Sequence, residues 1–446
     1  MSSETTSKHL WQGEWIDDEE AGRRLARLDD LAADVLAGPP LPTAGVLAAC
    51  AALAAELADP AHPLTAELRL ALTEGEGVPA AEAEEILADL ASLLRRPALE
   101  QVLRAQLGTT EPALPRPVPD VPGAREHWAP VGLVAHVLPG NVATAAPWSV
   151  VEGLLTGNLN VAKASGGGRF LLRLLDALGA HDPSGAVARH TVALTFPSRN
   201  GAWLDAVCRA ADSVVVWGGE EAVASVAGRL LPGTRLVDWG PKLSFAYLTR
   251  EGWTDPDALA GLARDVCRHD QRACTSPQTA FVDTDDPGEL FEAAERIAEA
   301  LAKEVQDRPD PVLDRQQQAE VTTTVEVARL EQYLGVSRVL RDPDRRWCVL
   351  AHTASELTAS PLHRTLWVRP LPRSAAAAVL RPARRYLQTV GLAAGAADAA
   401  ELTARFVAAG AVRVTRTGAM NDSYVGEPHD GVFALQRHTR RVTTQR

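Results

Sequence analysis

The hydrophobic pattern changes character once along the chain. Up to about residue 120, apolar positions recur at helical spacing, as in residues 25–36 and 44–57. Residues 80–107 carry acids early and arginines late, the order a helix dipole favours. A mostly helical N-terminal region over residues 1–124 is therefore expected. Prolines at 112, 115, 117, 119 and 122 then make an extended connector. From Val131 onward, short β-rich runs alternate with helical stretches. Residues 131–137, 159–164, 191–196 and 213–217 read as strands, with helices at 147–156, 168–178, 201–211 and 220–230 between them. A second round follows, with strands at 244–248 and 279–282 and helices at 256–269, 289–302 and 315–333. Further strands lie near Arg338, Cys348 and residues 366–368. The fold class expected is α/β, with two doubly wound parallel-sheet domains behind the helical region. The first would span 125–243 and the second 244–412. Residues 413–446 read as an extended polar segment, a candidate oligomer contact.

Composition narrows the function classes. The chain has 446 residues, 46% apolar and 23% charged, which excludes a disordered chain, a collagen-like fibre and a disulfide miniprotein. No run of 18 apolar residues is free of charges or breaks, and the polar start lacks a signal-peptide core, so a soluble cytoplasmic protein is expected. A net charge of −12 argues against a nucleic-acid groove. The five cysteines are widely spaced with no CxxC, so no metal site and no disulfide framework is signalled. Only Lys8, Lys163, Lys242 and Lys303 are lysines, and Lys163 and Lys242 sit in apolar, glycine-bearing segments.

Four segments carry candidate chemistry. Cys274, in Asp270-Gln-Arg-Ala-Cys-Thr-Ser-Pro-Gln278, falls between a helix and a strand, hence on a loop. Arg268, His269 and Arg272 beside it would favour a thiolate, though a plain loop cysteine fits the pattern too. Cys50, Cys208, Cys267 and Cys348 lie within periodic segments and read as buried. Pro139-Gly140-Asn141 ends a buried strand at the carboxyl edge of the sheet, where α/β proteins bind ligands. The Asn141 amide can donate to an oxyanion, or serve only a turn or helix cap. Lys163 closes another strand, and Ser165-Gly166-Gly167-Gly168 follows, permitting close approach of a ribose or phosphate. Trp217-Gly218-Gly219 joins a strand to a helix start and can cradle a dinucleotide. No GxGxxG is present, so an ordinary Rossmann dehydrogenase is not supported.

The order Pro139-Gly-Asn141, Lys163, Trp217-Gly-Gly219, Asp238-Trp-Gly-Pro-Lys242, Cys274 resembles the aldehyde dehydrogenase superfamily. More narrowly, the segment around Cys274 and Pro428-His-Asp-Gly431 resemble the LuxC-type acyl-CoA (fatty acyl thioester) reductases, over roughly residues 125–440. The resemblance implies an aldehyde-dehydrogenase-like fold with a dinucleotide-binding domain ahead of a catalytic one. It implies that Cys274 attacks an acyl thioester, that Asn141 and the Cys274 amide hold the oxyanion, and that a nicotinamide cofactor reduces the acyl-enzyme to aldehyde. Pro139, Gly140, Lys163, Ser165, Gly166, Arg169, Trp217, Gly218 and Gly219 would then face the cofactor. Hydrolytic relatives carry Glu where this chain has Asp238, which favours reduction over hydrolysis. Relatives preferring NAD commonly carry Glu at the position of Gly166; its absence, with Arg169 nearby, favours NADPH. The roles of Asp238, His269 and His429 stay open. The donor would be acyl-CoA or a carrier-bound acyl group, with an acyl-activating enzyme as partner and a homo-oligomer expected. The alternatives are a CoA-acylating aldehyde dehydrogenase using NAD in the oxidative direction, and a non-redox cysteine acyltransferase.

Overall fold

The computed structural model describes residues 8–138, 144–164 and 168–445. The chain divides into two compact units, residues 1–240 with 424–446, and residues 241–423.

The first unit opens with a hairpin, β1 (His9–Trp11) and β2 (Glu14–Ile16), turned at Gln12 and Gly13, both at positive φ. The expectation of a mostly helical region over residues 1–124 leaves out this hairpin. Strands of three residues leave too little periodicity to read. Six helices then run from Asp18 to Leu107. After them come β3 (Arg116–Pro117), β4 (Ala124–Pro130), β5 (Leu133–Val137), β6 (Leu159–Ala164), β7 (Thr191–Thr195), β8 (Ser213–Trp217) and β9 (Arg235–Trp239). The parallel strands stand in the order β7-β6-β5-β8-β9, and β1 extends the sheet antiparallel beside β7.

Strands buried on both faces read as unbroken apolar runs, which is why β5, β6 and β8 were legible. Alternate residues feed opposite cores. Leu133, Ala135 and Val161 pack with the helices Asp18–Leu25 and Gly201–Ala210. Ala162, Ala164 and Ala193 pack with Thr43–Leu57, Ala145–Leu155 and Arg169–Ala180.

The second unit contains β10 (Leu243–Leu248), β11 (Pro277–Val282), β12 (Ser337–Arg341), β13 (Cys348–His352), β14 (Thr365–Pro370), β15 (Leu387–Ala393) and β16 (Arg413–Arg416). Their order is β12-β13-β14-β11-β10-β15-β16, parallel except for β12. The helices Pro256–Cys267 and Pro287–Glu304 cover one face, and Ala396–Ala409 packs on Phe245 and Tyr247 of the other. The chain then returns to the first unit. Its last strand, β17 (Thr439–Gln445), pairs antiparallel with β4.

Among the described residues no helix is long and apolar enough to cross a membrane, and no cluster of three or more His, Cys, Asp or Glu could hold a metal ion.

Candidate active site

In the second unit the helix Pro256–Cys267 delivers the chain to the loop that carries Cys274. Asp255 caps it by accepting from the Asp257 amide, and Pro256 fills the first turn. Beyond the helix, His269, Asp270 and Gln271 all take positive φ, at 52°, 51° and 63°. Left-handed backbone costs an L-residue roughly 1–2 kcal/mol, so this turn must be held from outside. The buried Gln271 amide donates to the carbonyls of Pro277 and Thr365. Asp270 accepts the His363 amide on its carbonyl and the Arg364 Nε on its carboxylate, at 2.9 and 2.8 Å. Leu362, His363 and Arg364 form a second left-handed run, with φ of 65°, 52° and 60°. The two strained turns thus clasp each other. Arg364, 3% exposed, also donates to the Pro309 carbonyl.

Cys274 sits on the turn that follows and is exposed. Cys50, Cys208, Cys267 and Cys348 are buried, and burial pushes their thiols up to about 12, 11, 12 and 12. At neutral pH those four are inert. The Cys274 turn lies at the amino-terminal edge of the sheet, beside the first residues of β10 and β15. Ser244 Oγ donates to the Cys274 carbonyl at 2.7 Å and accepts from the Thr389 amide at 3.1 Å. Gln388 Nε2 lies 3.3 Å from Cys274 Sγ.

A strap from Thr417 to Asp422 holds the other side. Asp265, buried on the helix before the turn, accepts from the Gly418 and Met420 amides. Burial pushes its carboxyl up to about 6. Gly261 is required here, since a Cβ would strike the Thr417 backbone at 2.8 Å. Asn421 Oδ1 then accepts from the hydroxyls of Thr275 and Ser276, at 2.7 and 3.1 Å. Ser244, Gln388 and Asn421 escaped sequence reasoning because each comes from a distant segment and no local pattern marks it. His269 is exposed in the left-handed turn.

In the first unit the strand order reverses between β5 and β8, so their carboxyl ends form the topological switch point where α/β sheets bind ligands. Lys163 pairs in register with Val137, and Val137 with Val216, which brings Lys163 and Trp217 to this one edge. Pro139, Gly140, Asn141, Ser165 and Gly166 lie outside the described residues. Lys163 is 2% exposed, and burial lowers its ammonium pKa. Its Nζ donates to Ser198 Oγ at 3.0 Å and lies 5.8 Å from the Phe196 ring.

The helix Arg169–Ala180 begins beside it, with exposed Arg169 and no acid in its first turn. Gly168 precedes it at φ 57°; a Cβ there would sit 2.7 Å from Thr195 Oγ1 and 2.9 Å from Ala164 Cβ. The helix after Gly218-Gly219 opens instead with Glu220 and Glu221, which complement its own dipole. An anionic phosphate therefore fits the Lys163–Arg169 side better.

Trp217 is held from behind. Its Nε1 donates to Ser149 Oγ at 3.4 Å, Ser149 Oγ lies 2.8 Å from His136 Nδ1, and His136 Nε2 lies 3.0 Å from Asn160 Oδ1. Burial lowers the pKa of His136 to about 4, so the ring is neutral and structural. His429 places its ring edge-on to Trp239, 4.7 Å away, and 5.3 Å from Trp217. Asp238 is exposed on β9.

The family described as Acyl-CoA reductase (LuxC) matches residues 40–441. The long-chain acyl-protein thioester reductase of Vibrio harveyi is 26% identical over 323 residues, 71% of this chain and 65% of that protein. The enzyme of the same name from Photorhabdus luminescens is 27% identical over 322 residues, 71% and 64% of the two chains. The matched stretch thus spans less than two thirds of these relatives' length. Among solved structures, an NAD-dependent benzaldehyde dehydrogenase from Corynebacterium glutamicum superposes with a TM-score of 0.69 at 16% identity, covering 98% of both chains. An aldehyde dehydrogenase from Brucella melitensis biovar abortus gives 0.70 at 16%, covering 99% of this chain and 97% of its own. The fold is that of the aldehyde dehydrogenases.

Proposed function

The chain belongs to the LuxC family of acyl-CoA reductases, and on that footing we propose that it reduces an acyl thioester to the aldehyde through a covalent acyl-cysteine, with NADPH as reductant. The observation that carries the reading is the isolation of Cys274. It is an exposed thiol on a braced turn, while four other thiols are buried with raised pKa values. Cys274 attacks the thioester carbonyl as thiolate, and the carrier thiol leaves. Asn141 and the Cys274 backbone amide are the proposed donors to the oxyanion. When bound, the nicotinamide dinucleotide supplies the hydride that takes the acyl group to aldehyde.

The first unit is the proposed dinucleotide binder. Lys163 and Arg169 are suited to a 2′-phosphate, Trp217 with Gly218 and Gly219 to a flat ring, and the segments 139–140 and 165–166 to backbone approach. The second unit carries the nucleophile. The relatives' name speaks of acyl-protein thioesters, which favours a protein-bound acyl donor, with acyl-CoA as the soluble surrogate. An acyl-activating partner and a homo-oligomer complete the proposal, in a reducing cytoplasm that suits free thiols.

The test is a single-turnover reaction of the protein with a medium-to-long acyl-CoA and NADPH, beside Cys274→Ala. Loss of NADPH absorbance with aldehyde trapped, abolished in the variant, is the expected result. Acylation of Cys274 without reduction by either NADPH or NADH would instead indicate an acyltransferase. A higher kcat/KM with NADH than with NADPH would overturn the cofactor choice.

A further inference from the structure

We propose that Gln388 is a catalytic residue whose side-chain amide donates to Cys274 Sγ and stabilises it as the attacking and departing thiolate. The inference rests on Cys274 being the nucleophile, as proposed above.

Gln388 is the second residue of β15 and is 5% exposed. Its Nε2 stands 3.3 Å from the sulfur, a hydrogen-bond distance for N–H to S. The rest of its setting fixes it there. Ser244, fully buried on the neighbouring strand, spends its one hydroxyl hydrogen on the Cys274 carbonyl at 2.7 Å. Its Oγ also accepts the amide of Thr389, the residue next to Gln388, at 3.1 Å. One hydroxyl therefore ties the nucleophile's backbone to the backbone of the residue that touches the nucleophile's sulfur. The pairing of β10 with β15 carries a register shift between Leu243 and Phe245, at this same point. The irregularity brings the two strand ends together around Cys274.

A thiolate has no hydrogen, so only the N–H side of the amide complements it. Gln388 cannot accept the proton; it leaves from the exposed thiol to solvent. The sulfur lone pair then forms the S–C bond, and the carrier thiolate departs with the electron pair of the broken bond. In the acylated state the sulfur is a poor acceptor and the bond weakens. When the reduced intermediate collapses, the S–C electron pair returns to sulfur and the amide again meets a thiolate. The hydrogen bond thus favours both ends of the cycle over the acyl-enzyme between them.

The experiment follows alkylation of Cys274 by iodoacetamide in the intact, native chain across pH 5–10, read by mass spectrometry of the Cys274 peptide. A hydrogen bond to a charged group is strong enough to move a titration midpoint by about one pH unit. Gln388→Leu is expected to move the midpoint of the rate profile upward by that amount. Thiol nucleophilicity rises with basicity at a Brønsted slope of roughly 0.4–0.5, so the variant's high-pH plateau should be about threefold faster, while its rate at pH 7 falls about threefold. Such a crossing is not produced by loosened packing, which speeds alkylation at every pH. Gln388→Glu keeps the side chain's shape and sets a carboxylate against the thiolate; it should shift the midpoint further upward. It remains informative if the leucine variant fails to fold. Profiles superimposable on wild type in both variants would overturn the proposal. The alkylation readout needs neither acyl donor nor cofactor, so a failed reduction assay beside a shifted profile would discard the proposed reaction and keep the role of Gln388.

Discussion

Arg364→Met tests whether the clasp between the two left-handed turns holds the Cys274 loop. The substitution keeps an apolar stem and removes both the 2.8 Å bond to Asp270 and the 2.8 Å bond to the Pro309 carbonyl. Breaking a buried ion pair typically costs about 3–5 kcal/mol. The Arg364 side chain is 3% exposed but that of Asp270 is 21% exposed, so a value near the lower end, about 3 kcal/mol, is expected. That is comparable to the roughly 3–6 kcal/mol stored by three L-residues in left-handed conformation. Without the clasp, the turn at 269–271 should relax and release the Gln271 bonds that position the following loop.

The assay is urea unfolding together with hydrogen exchange of the amides from Arg268 to Ser276. Asp270→Gly supplies the control, because glycine takes φ near 51° without penalty and leaves no unpaired carboxylate. The double variant should therefore be more stable than Arg364→Met alone, by about 1–2 kcal/mol. A loss below 1 kcal/mol for Arg364→Met, or strictly additive effects of the two changes, would refute the account of the clasp.

Two further outcomes concern the first unit. Gly153→Ala would place a methyl on Asn160 Oδ1 and 3.3 Å from His136 Nε2, breaking the relay behind Trp217 and costing about 2–4 kcal/mol in a denaturant titration; a variant within 0.5 kcal/mol of wild type would show that the relay yields freely. Glu152, buried on the helix Ala145–Leu155, has its carboxyl raised by burial to about 8 from 4.5. The folded state keeps this proton where the unfolded chain has released it, so the contribution is full below pH 4.5 and is lost as pH rises through 8. Asp265 acts in the same sense but is spent above about 6. His136 and His438, lowered to about 4 and 3, act oppositely, losing stability as pH falls below the ordinary histidine value of 6.5. Between pH 6.5 and 8.5 the decline therefore belongs largely to Glu152, and Glu152→Gln should flatten it; an unchanged slope of the urea midpoint would contradict the burial.

The sequence disclosed what burial enforces locally. Strands β6 and β8 were read with their observed bounds, because central parallel strands must be apolar throughout. The edge strand β9 was passed over, since Arg235 and Asp238 break the apolar run. Strand β15 was also missed, behind an arginine-rich approach at 381–385, and Gln388 was missed with it. Cys274 stood out because it lies outside every periodic segment. Its supports could not, since Asp270 and Arg364 are 94 residues apart and Cys274 and Gln388 are 114 apart. The pairing of β11 with β14 makes the first pair neighbours, and that of β10 with β11 and β15 the second. The same reasoning puts Lys163 and Trp217 at the carboxyl edge of the first sheet, on the two strands that flank β5, but it does not reach the Ser149–His136–Asn160 relay beneath it.

The interleaved chain path has a consequence for synthesis. The first unit is interrupted after Gly240 and regains its remaining residues only from Tyr424 onward. Asn158, fully buried beside the central sheet, donates to the carbonyl of His438, and Gln106 receives the Leu435 amide. Until residues 424–445 are made, those polar groups and the β4 edge stand open, although the seven-stranded sheet of each unit is already complete. Vectorial synthesis therefore favours the unit of residues 241–423, which carries Cys274, as the first to be completed, even though it is encoded second. The first unit, still without its return segment, is then the stage most in need of a chaperone. Stop codons placed after Ser423 should yield a protease-resistant core made of the later-encoded unit.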